Sequence, residues 1–200
     1  MIEKISKPDD LFTIALQEIA KATGPAKHEF HTFTLGTVNR GFPQLRTVVL
    51  RKFEPECVNV LFHTDIRSEK INHLQECSQV SLLFYGYTLR LQVSFNGIAC
   101  IEKDPGLTQY QFENSSADAQ KCYAYGAQPS SIIHSKTKEE LQPDIQLPLT
   151  ANQLSTAKEN FVVVRIVPDK CDILCLHYSG HIRVRANRAP EGWVSEFITA

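Results

Sequence analysis

The 200-residue sequence has almost no excess of either charge and no long apolar run. Its formal net charge is −1, and charged residues make up 22% of the chain, so a bulk electrostatic attraction to nucleic acid is not expected. The first ten residues, MIEKISKPDD, lack the apolar core of a secretory signal. No segment reaches the roughly 18 apolar residues of a membrane-spanning helix. We therefore expect a cytoplasmic protein with neither a membrane nor a nucleic-acid partner.

Sequence patterns that mark metal, redox and nucleotide sites are also missing. The six cysteines form no CxxC pair, so we expect reduced thiols that act as small buried hydrophobic residues. Cys171 and Cys175 lie on a strand-like segment that would separate them by about 13 Å, which disfavours a metal site. Neither GxGxxG nor GxxxxGK[ST] occurs, and no spacing suggests a nucleophile elbow. The sequence nominates no catalytic acid, base or metal ligand.

The apolar pattern predicts a single domain over 1–200, built mainly from β-strands. An opening helix is predicted over 9–23, and 143–156 is predicted to be a surface loop. Helical or irregular segments are expected at 104–126 and 136–142. The predicted strands are 31–38, 45–53, 57–63, 79–85, 88–102, 161–167, 171–177, 181–187 and 192–198. Without regular βαβ spacing, this order indicates an antiparallel β-barrel with peripheral helices, and a doubly wound sheet is the lesser alternative.

The stretch HTDIRSEK joins a predicted strand to a predicted helix and carries unexpected charges. A helix N-terminus has a positive partial charge, which disfavours Arg67 and Lys70 at that place. A bound phosphate would make both cations favourable, because Ser68, the two cations and the free backbone N–H groups could all donate to it. The alternative is a solvated first turn in which Asp65 and Glu69 neutralise the cations.

Three strand-like segments carry polar side chains that could bind a ligand. In RTVVLRK, alternation places Arg46 and Arg51 on opposite faces unless a bulge intervenes. In RLQVSFNG, the Gln92 carboxamide can both donate to and accept from the polar edge of a flat heterocycle. In HIRVRAN, Arg183 and Arg185 share one face, which indicates either an anion-binding surface or an edge strand protected by charge.

The order of RTVVLR, FHTDIRSEK, VSLLFY and LRLQVSFNGIA resembles the flavin-binding split barrel of the pyridoxamine 5′-phosphate oxidase family, in its oxidase-related, FMN-binding branch. The resemblance covers the core motifs at 45–103 most firmly, and the C-terminal strands at 160–200 more loosely. Residues 1–24 would form an N-terminal helix. The resemblance implies a six-stranded antiparallel barrel and a homodimer that binds FMN at the subunit interface. It also implies a two-electron oxidation or reduction of a small molecule.

The resemblance also assigns residues to the parts of FMN. The phosphate would be held by Arg46, Arg67, Ser68 and Lys70. The isoalloxazine ring would meet the backbone of Thr47, Val48, Val49 and Leu50, the pair His63 and Thr64, and the amide of Gln92. Gln128 and Ser130 would reach the cofactor from the other subunit.

Departures from the family pattern affect the substrate more than the cofactor. Arg51 stands where the oxidases have a substrate-binding lysine, and of the residues that grip the substrate phosphate only Tyr110 has a counterpart. Arg183 and Arg185 stand in place of an Arg-Leu-His motif. Our hypothesis is that Arg51, Arg183 and Arg185 recognise an anionic substrate above the flavin.

The sequence is also consistent with two functions other than that of an oxidoreductase. One is a flavin-binding carrier or sensor without turnover. The other is a small barrel that binds single-stranded nucleic acid and stacks bases on Phe84, Tyr85 and Tyr87.

Overall fold

The computed structural model describes residues 5–24, 26–132 and 145–200. Its helices are α1 (Pro8–Lys21), α2 (Glu69–Glu76), α3 (Pro105–Glu113), α4 (Ala117–Lys121) and α5 (Ala151–Asn160), with a short 3-10 helix at Glu29–His31. Its strands are β1 (Thr32–Asn39), β2 (Phe42–Val49), β3 (Lys52–Glu54), β4 (Asn59–Asp65), β5 (Gln79–Gly86), β6 (Leu91–Ile101), β7 (Phe161–Cys175), β8 (Ile182–Ala189) and β9 (Gly192–Ile198).

The chain divides into two compact units. The first comprises Met1–Phe62, His73–Cys100 and Arg165–Ala200, and the second comprises His63–Asn72 and Ile101–Val164. The first unit contains α1 and most of the strands, whereas the second contains α3, α4 and α5.

The sheet confirms the predicted class, mainly antiparallel β with peripheral helices. Its strand order is β2-β1-β5-β6-β7-β4-β3, and β8 pairs with both β7 and β9. Over the residues that the structure describes, the sheet therefore has nine strands, more than the six predicted for the barrel core. Because β8 is hydrogen-bonded on both sides, the interpretation of 181–187 as an edge strand is wrong.

Strands β1 and β2 form a hairpin whose turn is tighter than the predicted strands at 31–38 and 45–53 indicated. Arg40 and Gly41 have φ values of 48° and 83°, the left-handed conformations that a two-residue hairpin turn requires. Strand β2 consequently starts at Phe42 and ends at Val49, and β3 starts only at Lys52. Because the strand is interrupted in between, simple alternation does not relate the faces of Arg46 and Arg51.

The opening helix predicted over 9–23 is confirmed as α1, and one of its faces is apolar and buried. Leu11, Ala15 and Ile19 are fully buried, as expected for positions spaced by three to four residues. At the N-terminus, the backbone N–H groups of Ser6 and Lys7 donate to the Asp10 carboxylate, which lowers the pKa of Asp10.

Strands β5 and β6 show the predicted alternation of buried and outward residues. Val93 and Phe95 are buried, whereas Asn96 is exposed. Phe84 is also fully buried. It therefore cannot stack on a base, as the nucleic-acid alternative required.

Strand β7 is continuous where the sequence predicted two strands separated by Pro168. The backbone of β7 comes so close to β6 that a Cβ atom on Gly97 would lie 2.3 Å from the carbonyl oxygen of Val167 and 2.6 Å from the Cα of Pro168. Only glycine permits that approach, since both atoms belong to the backbone and cannot rotate away.

The second unit is organised around the ring of Phe161. The rings of His63, Phe112 and Tyr123 lie 4.7, 5.3 and 5.0 Å from it, all near edge-to-face, an arrangement favoured by aromatic quadrupoles.

One predicted loop is partly wrong, because α5 occupies 151–160. The Thr150 hydroxyl accepts from the Gln153 backbone N–H, and the Gln153 side chain accepts from the Thr150 backbone N–H. This capping box starts the helix, and the polar, proline-containing composition of the segment concealed it. The predicted segment 136–142 and residues 143–144 lie outside the described residues.

The cysteines follow the prediction only in part. Cys171 and Cys175 are buried, and burial raises the pKa of both thiols. Cys57, Cys100 and Cys122 are exposed, so the expectation of burial is wrong for them. All six thiols are free, and the described residues contain no group of metal-ligating side chains. No helix within the described ranges has the length and apolarity needed to cross a membrane.

Candidate functional site

The turn between β4 and α2 brings an ammonium group and two hydroxyls together. Lys70 Nζ donates to Thr64 Oγ1 at 2.9 Å and to Ser68 Oγ at 3.1 Å, and the two hydroxyl oxygens are 3.3 Å apart. Thr64 and Ser68 are buried, with 6% and 3% exposure. Both hydroxyls accept from the ammonium, so at least one of their protons must point out of this triangle. We call these three residues the Lys70 triad.

Arg67, on the same turn, has a different environment. Its guanidinium donates to both oxygens of Asp65, at 3.0 and 2.7 Å. It also donates to the carbonyls of Tyr125 and Gly126, each at 3.0 Å. These four hydrogen bonds use all but one of the N–H groups of a guanidinium. The hydrogen bonds with Asp65 raise the pKa of Arg67 above its ordinary value.

The sequence left two interpretations of this turn open, and the structure contains part of each. Asp65 neutralises Arg67, as the solvated-turn alternative required. Lys70 donates to two hydroxyls of the turn, and these three groups together could donate to an anion. The binding of an anion at this place stays a prediction.

Gln128 and Ser130 lie in the segment that follows the carbonyls bound by Arg67. The Gln128 amide donates to the backbone carbonyl of Arg67 at 2.8 Å, and Ser130 has a φ of 67°. Gln128 thus stabilises the turn between β4 and α2 of its own chain. A contact of Gln128 or Ser130 with the cofactor of a partner subunit stays a prediction.

His63 is half-buried and oriented by two contacts. Its Nε2 lies 3.2 Å from Gln111 Oε1, and its ring packs edge-on against Phe161. The side chain is therefore held in place as part of the aromatic cluster of the second unit.

Within the first unit, Arg46 takes part in a buried polar network. Its Nη1 donates to Thr37 Oγ1 at 2.5 Å and to the Gln44 carbonyl at 3.0 Å. Thr37 Oγ1 lies 3.2 Å from His73 Nδ1, and Arg46 Nη2 lies 3.5 Å from the same nitrogen. Because a guanidinium only donates, Nδ1 of His73 is best satisfied as an acceptor from the Thr37 hydroxyl.

The other residues assigned to the isoalloxazine ring lie on β2, just after it, and on β6. Strand β2 ends the strand order of the described sheet, so part of its backbone is not used in pairing. Thr47 is exposed, while Leu50 is fully buried and its N–H donates to the His31 carbonyl. Gln92 is half-buried on β6, on the same face as Ser94.

The arginines assigned to the substrate are not equivalent. Arg51 is exposed. Arg183 donates to both oxygens of Asp172, at 2.8 and 3.2 Å, and Arg185 Nη2 lies 3.6 Å from Asp172 Oδ2. The hydrogen bonds with Asp172 raise the pKa of Arg183.

Three residues of these networks were missed by reasoning from the sequence: Thr37, His73 and Asp172. Each is separated in sequence from the arginine it binds, by 9, 27 and 11 residues respectively. The strand alternation of β1 could have indicated that Thr37 points the same way as the apolar core, because Phe33 and Leu35 are buried on the same face.

Comparisons with known proteins find similar sequences and similar folds. Residues 10–103 match the family model described as the pyridoxamine 5′-phosphate oxidase FMN-binding domain. The pyridoxine/pyridoxamine 5′-phosphate oxidase of Flavobacterium johnsoniae is 30% identical over 131 residues, which are 65% of this chain and 58% of that protein. The chain thus matches less than two thirds of the length of that relative.

Two solved structures have the same fold over nearly the whole chain. A pyridoxamine 5′-phosphate oxidase-related, FMN-binding protein from Nostoc punctiforme superposes with a TM-score of 0.71 at 20% identity and covers 94% of this chain and 97% of its own. PhzG from Burkholderia lata, solved with tetrahydrophenazine-1-carboxylic acid, gives 0.70 at 19% identity, with 98% and 93% coverage.

The fold and the domain match therefore define a flavin-binding split barrel. The match of residues 10–103 to the model of the pyridoxamine 5′-phosphate oxidase FMN-binding domain confirms the resemblance noted in the sequence. The cofactor of this domain is FMN. The donor set of the Lys70 triad fits the cofactor, since an ammonium and two buried hydroxyls are suitable ligands of a phosphate.

Proposed function

We propose that the protein is an FMN-dependent oxidoreductase that acts on a small anionic molecule, with the flavin phosphate bound at the Lys70 triad. The observation that carries this proposal is the convergence of the Lys70 ammonium with the hydroxyls of Thr64 and Ser68. Such donors bind a phosphate strongly, because charge-assisted hydrogen bonds are about twice as strong as neutral ones.

Bound FMN would supply two-electron redox chemistry, and the protein would supply binding and orientation. Lys70, Ser68 and Thr64 hold the phosphate in this proposal. Gln92 is suited to the polar edge of the ring, because its carboxamide both donates and accepts. Arg51, Arg183 and Arg185 remain the candidates for the substrate anion.

We also propose that the functional unit is a homodimer. Several large apolar side chains of the first unit are exposed on β2, β5 and β6, which is typical of surfaces that pair with another protein. They are Phe42, Leu45, Leu83, Tyr85 and Ile98.

Sedimentation velocity followed at the visible flavin absorbance tests the cofactor and the dimer together. We expect a yellow species with the mass of two 22.6 kDa chains and one FMN per chain. A colourless protein that takes up no added FMN would refute the proposed function, and a yellow species of monomer mass would refute the dimer alone.

A carrier or sensor would bind FMN without reducing and reoxidising it in the presence of a substrate, whereas an enzyme would do both. Reduced nicotinamides and pyridoxamine or pyridoxine phosphates should be added separately under anaerobic conditions, and loss of the flavin absorbance recorded. Bleaching that reverses when air is admitted supports an oxidoreductase. Stable absorbance with every donor tried favours the carrier.

The network around Arg46 gives a separate prediction. If Arg46 is a phosphate ligand, as the resemblance implies, Thr37 is a positioning residue that fixes its guanidinium. We expect Thr37→Val to weaken FMN binding about fivefold to tenfold, the equivalent of one neutral hydrogen bond, and to leave riboflavin binding unchanged. Thr37→Ser should restore the affinity, because it retains the hydroxyl.

Fluorescence titrations with FMN and riboflavin measure this ratio. An equal loss for both flavins would show that Thr37 supports the fold and not the phosphate contact. An Arg46→Gln variant with an unchanged ratio would show that Arg46 does not bind the phosphate at all.

A further inference from the structure

A polar cavity of about 390 Å³ lies beside the arginines of β8. It is lined by side chains of the four strands β6, β7, β8 and β9. Those that matter for a ligand are Ser94, Asn96, Lys170, Asp172, Arg185 and Asn187. Hydroxyl, amide and charged groups therefore face one small space, which is the composition of a site for a compact polar ligand.

Asp172 is the central charge of this cavity. One oxygen accepts from Arg183 Nε and the other from Arg183 Nη2, and the second oxygen also faces Arg185 Nη2 at 3.6 Å. A bidentate contact of this kind uses the planar fork of Arg183 on the carboxylate. Arg185, with 48% of its side chain exposed, is the more accessible of the two arginines.

The charges around the cavity nearly cancel. Lys170 and Arg185 line the cavity with positive charge, and Asp172 and Glu196 line it with negative charge. Arg183 does not line the cavity, but it binds both oxygens of Asp172 and adds a third positive charge beside it. One positive charge remains. A dianion such as a phosphate monoester would add its second charge beside two carboxylates, which is unfavourable.

We propose that this cavity receives the anionic group of the substrate, and that Asp172 restricts that group to a single negative charge, as in a carboxylate. This inference rests on the proposed oxidoreductase function and names its substrate class. The two oxygens of a carboxylate fit the two N–H groups on one side of the Arg185 guanidinium. Its single negative charge balances the one positive charge that remains around the cavity. Ser94, Asn96 and Asn187 add neutral hydrogen-bonding groups that suit a polar ligand without adding charge.

Benzoate and phenyl phosphate are suitable probes, because they share a ring and differ in the charge of the anionic group. At pH 7.5 the first carries one negative charge and the second nearly two, since the second pKa of a phosphate monoester is about 6. Their dissociation constants are measured by isothermal titration calorimetry with the FMN-loaded protein. We expect the wild type to bind benzoate more tightly than phenyl phosphate.

Asp172→Asn should reverse or reduce the preference for benzoate over phenyl phosphate. Removing one negative charge favours a dianion about twice as much as a monoanion, so we expect phenyl phosphate binding to improve about tenfold and benzoate binding about threefold. Asp169→Asn is the matched control, because it removes the same charge from an exposed position on the same strand. The control should leave the ratio of the two affinities unchanged.

Asp172→Glu changes the side chain but keeps the charge, so its ratio of benzoate to phenyl phosphate affinity should equal that of the wild type. A changed ratio in Asp172→Glu would show that substitution at this position acts through the fold and not through the charge. The proposal is overturned if the wild type prefers phenyl phosphate, if it binds neither probe, or if the ratio is the same in wild type and Asp172→Asn. Visible spectra of the same samples report FMN separately. If the protein takes up no FMN, the same titrations are made without the cofactor, and the expected ratios would then refute the proposed function and support the charge selectivity.

Discussion

Replacing Lys70 by methionine is expected to weaken FMN binding about 100-fold and to leave riboflavin binding within about twofold of wild type. One charge-assisted hydrogen bond contributes about 1.5–3 kcal/mol, and 100-fold corresponds to about 2.7 kcal/mol. The two flavins differ only in the phosphate. The ratio of their dissociation constants therefore isolates the contribution of the ammonium to binding that group.

Methionine is chosen because it preserves the length of the side chain while removing the charge. The hydroxyls of Thr64 and Ser68 remain 3.3 Å apart and can still hydrogen-bond each other, so little loss of stability is expected. Lys103→Met is a control in the second unit, where the lysine is exposed. Lys70→Arg should recover part of the affinity, because it restores the charge with a different shape.

Two outcomes of the Lys70→Met titrations would contradict this prediction. If Lys70→Met lowers the affinity for FMN and riboflavin by the same factor, Lys70 supports the turn and does not contact the phosphate. If neither affinity changes, the phosphate binds elsewhere on the protein. Both titrations are followed by quenching of flavin fluorescence.

The Lys70 triad was largely predictable from sequence because its residues are close together along the chain. Lys70, Ser68 and Thr64 span seven positions of a strand-to-helix junction, where local geometry determines which side chains meet. The alternation of β5 and β6 was predictable for a similar reason, since a period of two is a local property of a strand.

The environments of the arginines could not be predicted, because they depend on contacts distant in sequence. Arg67 binds carbonyls 58 and 59 positions away, and Arg46 lies beside a histidine 27 positions away. An isolated sequence pattern identifies a cation but not its partner. The resemblance to the family compensated for this only in part, because it assigned Arg67 to the phosphate, whereas most of the Arg67 donors bind protein groups.

The nine-stranded sheet illustrates the same limit at the level of the fold. Each C-terminal segment was identified as a strand, but for β8 the sequence left two alternatives open, an anion-binding surface and an edge strand protected by charge. Pairing with β9 removes that edge, and Asp172 on β7 explains the charges instead. Which strand neighbours which is a long-range property that periodicity does not contain.

Replacing Arg67 by alanine is expected to lower the free energy of unfolding by about 3 kcal/mol, because the variant leaves a buried carboxylate without its partner. The side chain of Asp65 is only 8% exposed. The carbonyls of Tyr125 and Gly126 would also lose their donor. For a chain of this length, such a loss corresponds to a decrease in Tm of roughly 6–12 °C. Urea denaturation followed by circular dichroism measures the change.

Two further variants separate the causes of this loss. Adding Asp65→Asn to Arg67→Ala removes the unpaired charge and should restore about 1–2 kcal/mol, since much of the cost of breaking a buried pair comes from the remaining ion. Arg188→Ala is the control, because Arg188 donates to the carbonyls of Pro168 and Cys57 and lies over the ring of Trp193, and no carboxylate of the described residues pairs with it. It should cost only about 1 kcal/mol.

The flavin titrations decide whether Arg67 also binds the phosphate. With nearly all of its N–H groups used by Asp65, Tyr125 and Gly126, Arg67 can offer a phosphate little beyond its charge. We therefore expect Arg67→Ala to change the ratio of FMN to riboflavin affinity less than Lys70→Met does. A larger change in that ratio for Arg67→Ala would make Arg67 the principal phosphate ligand and would require its contacts with the protein to rearrange when FMN binds.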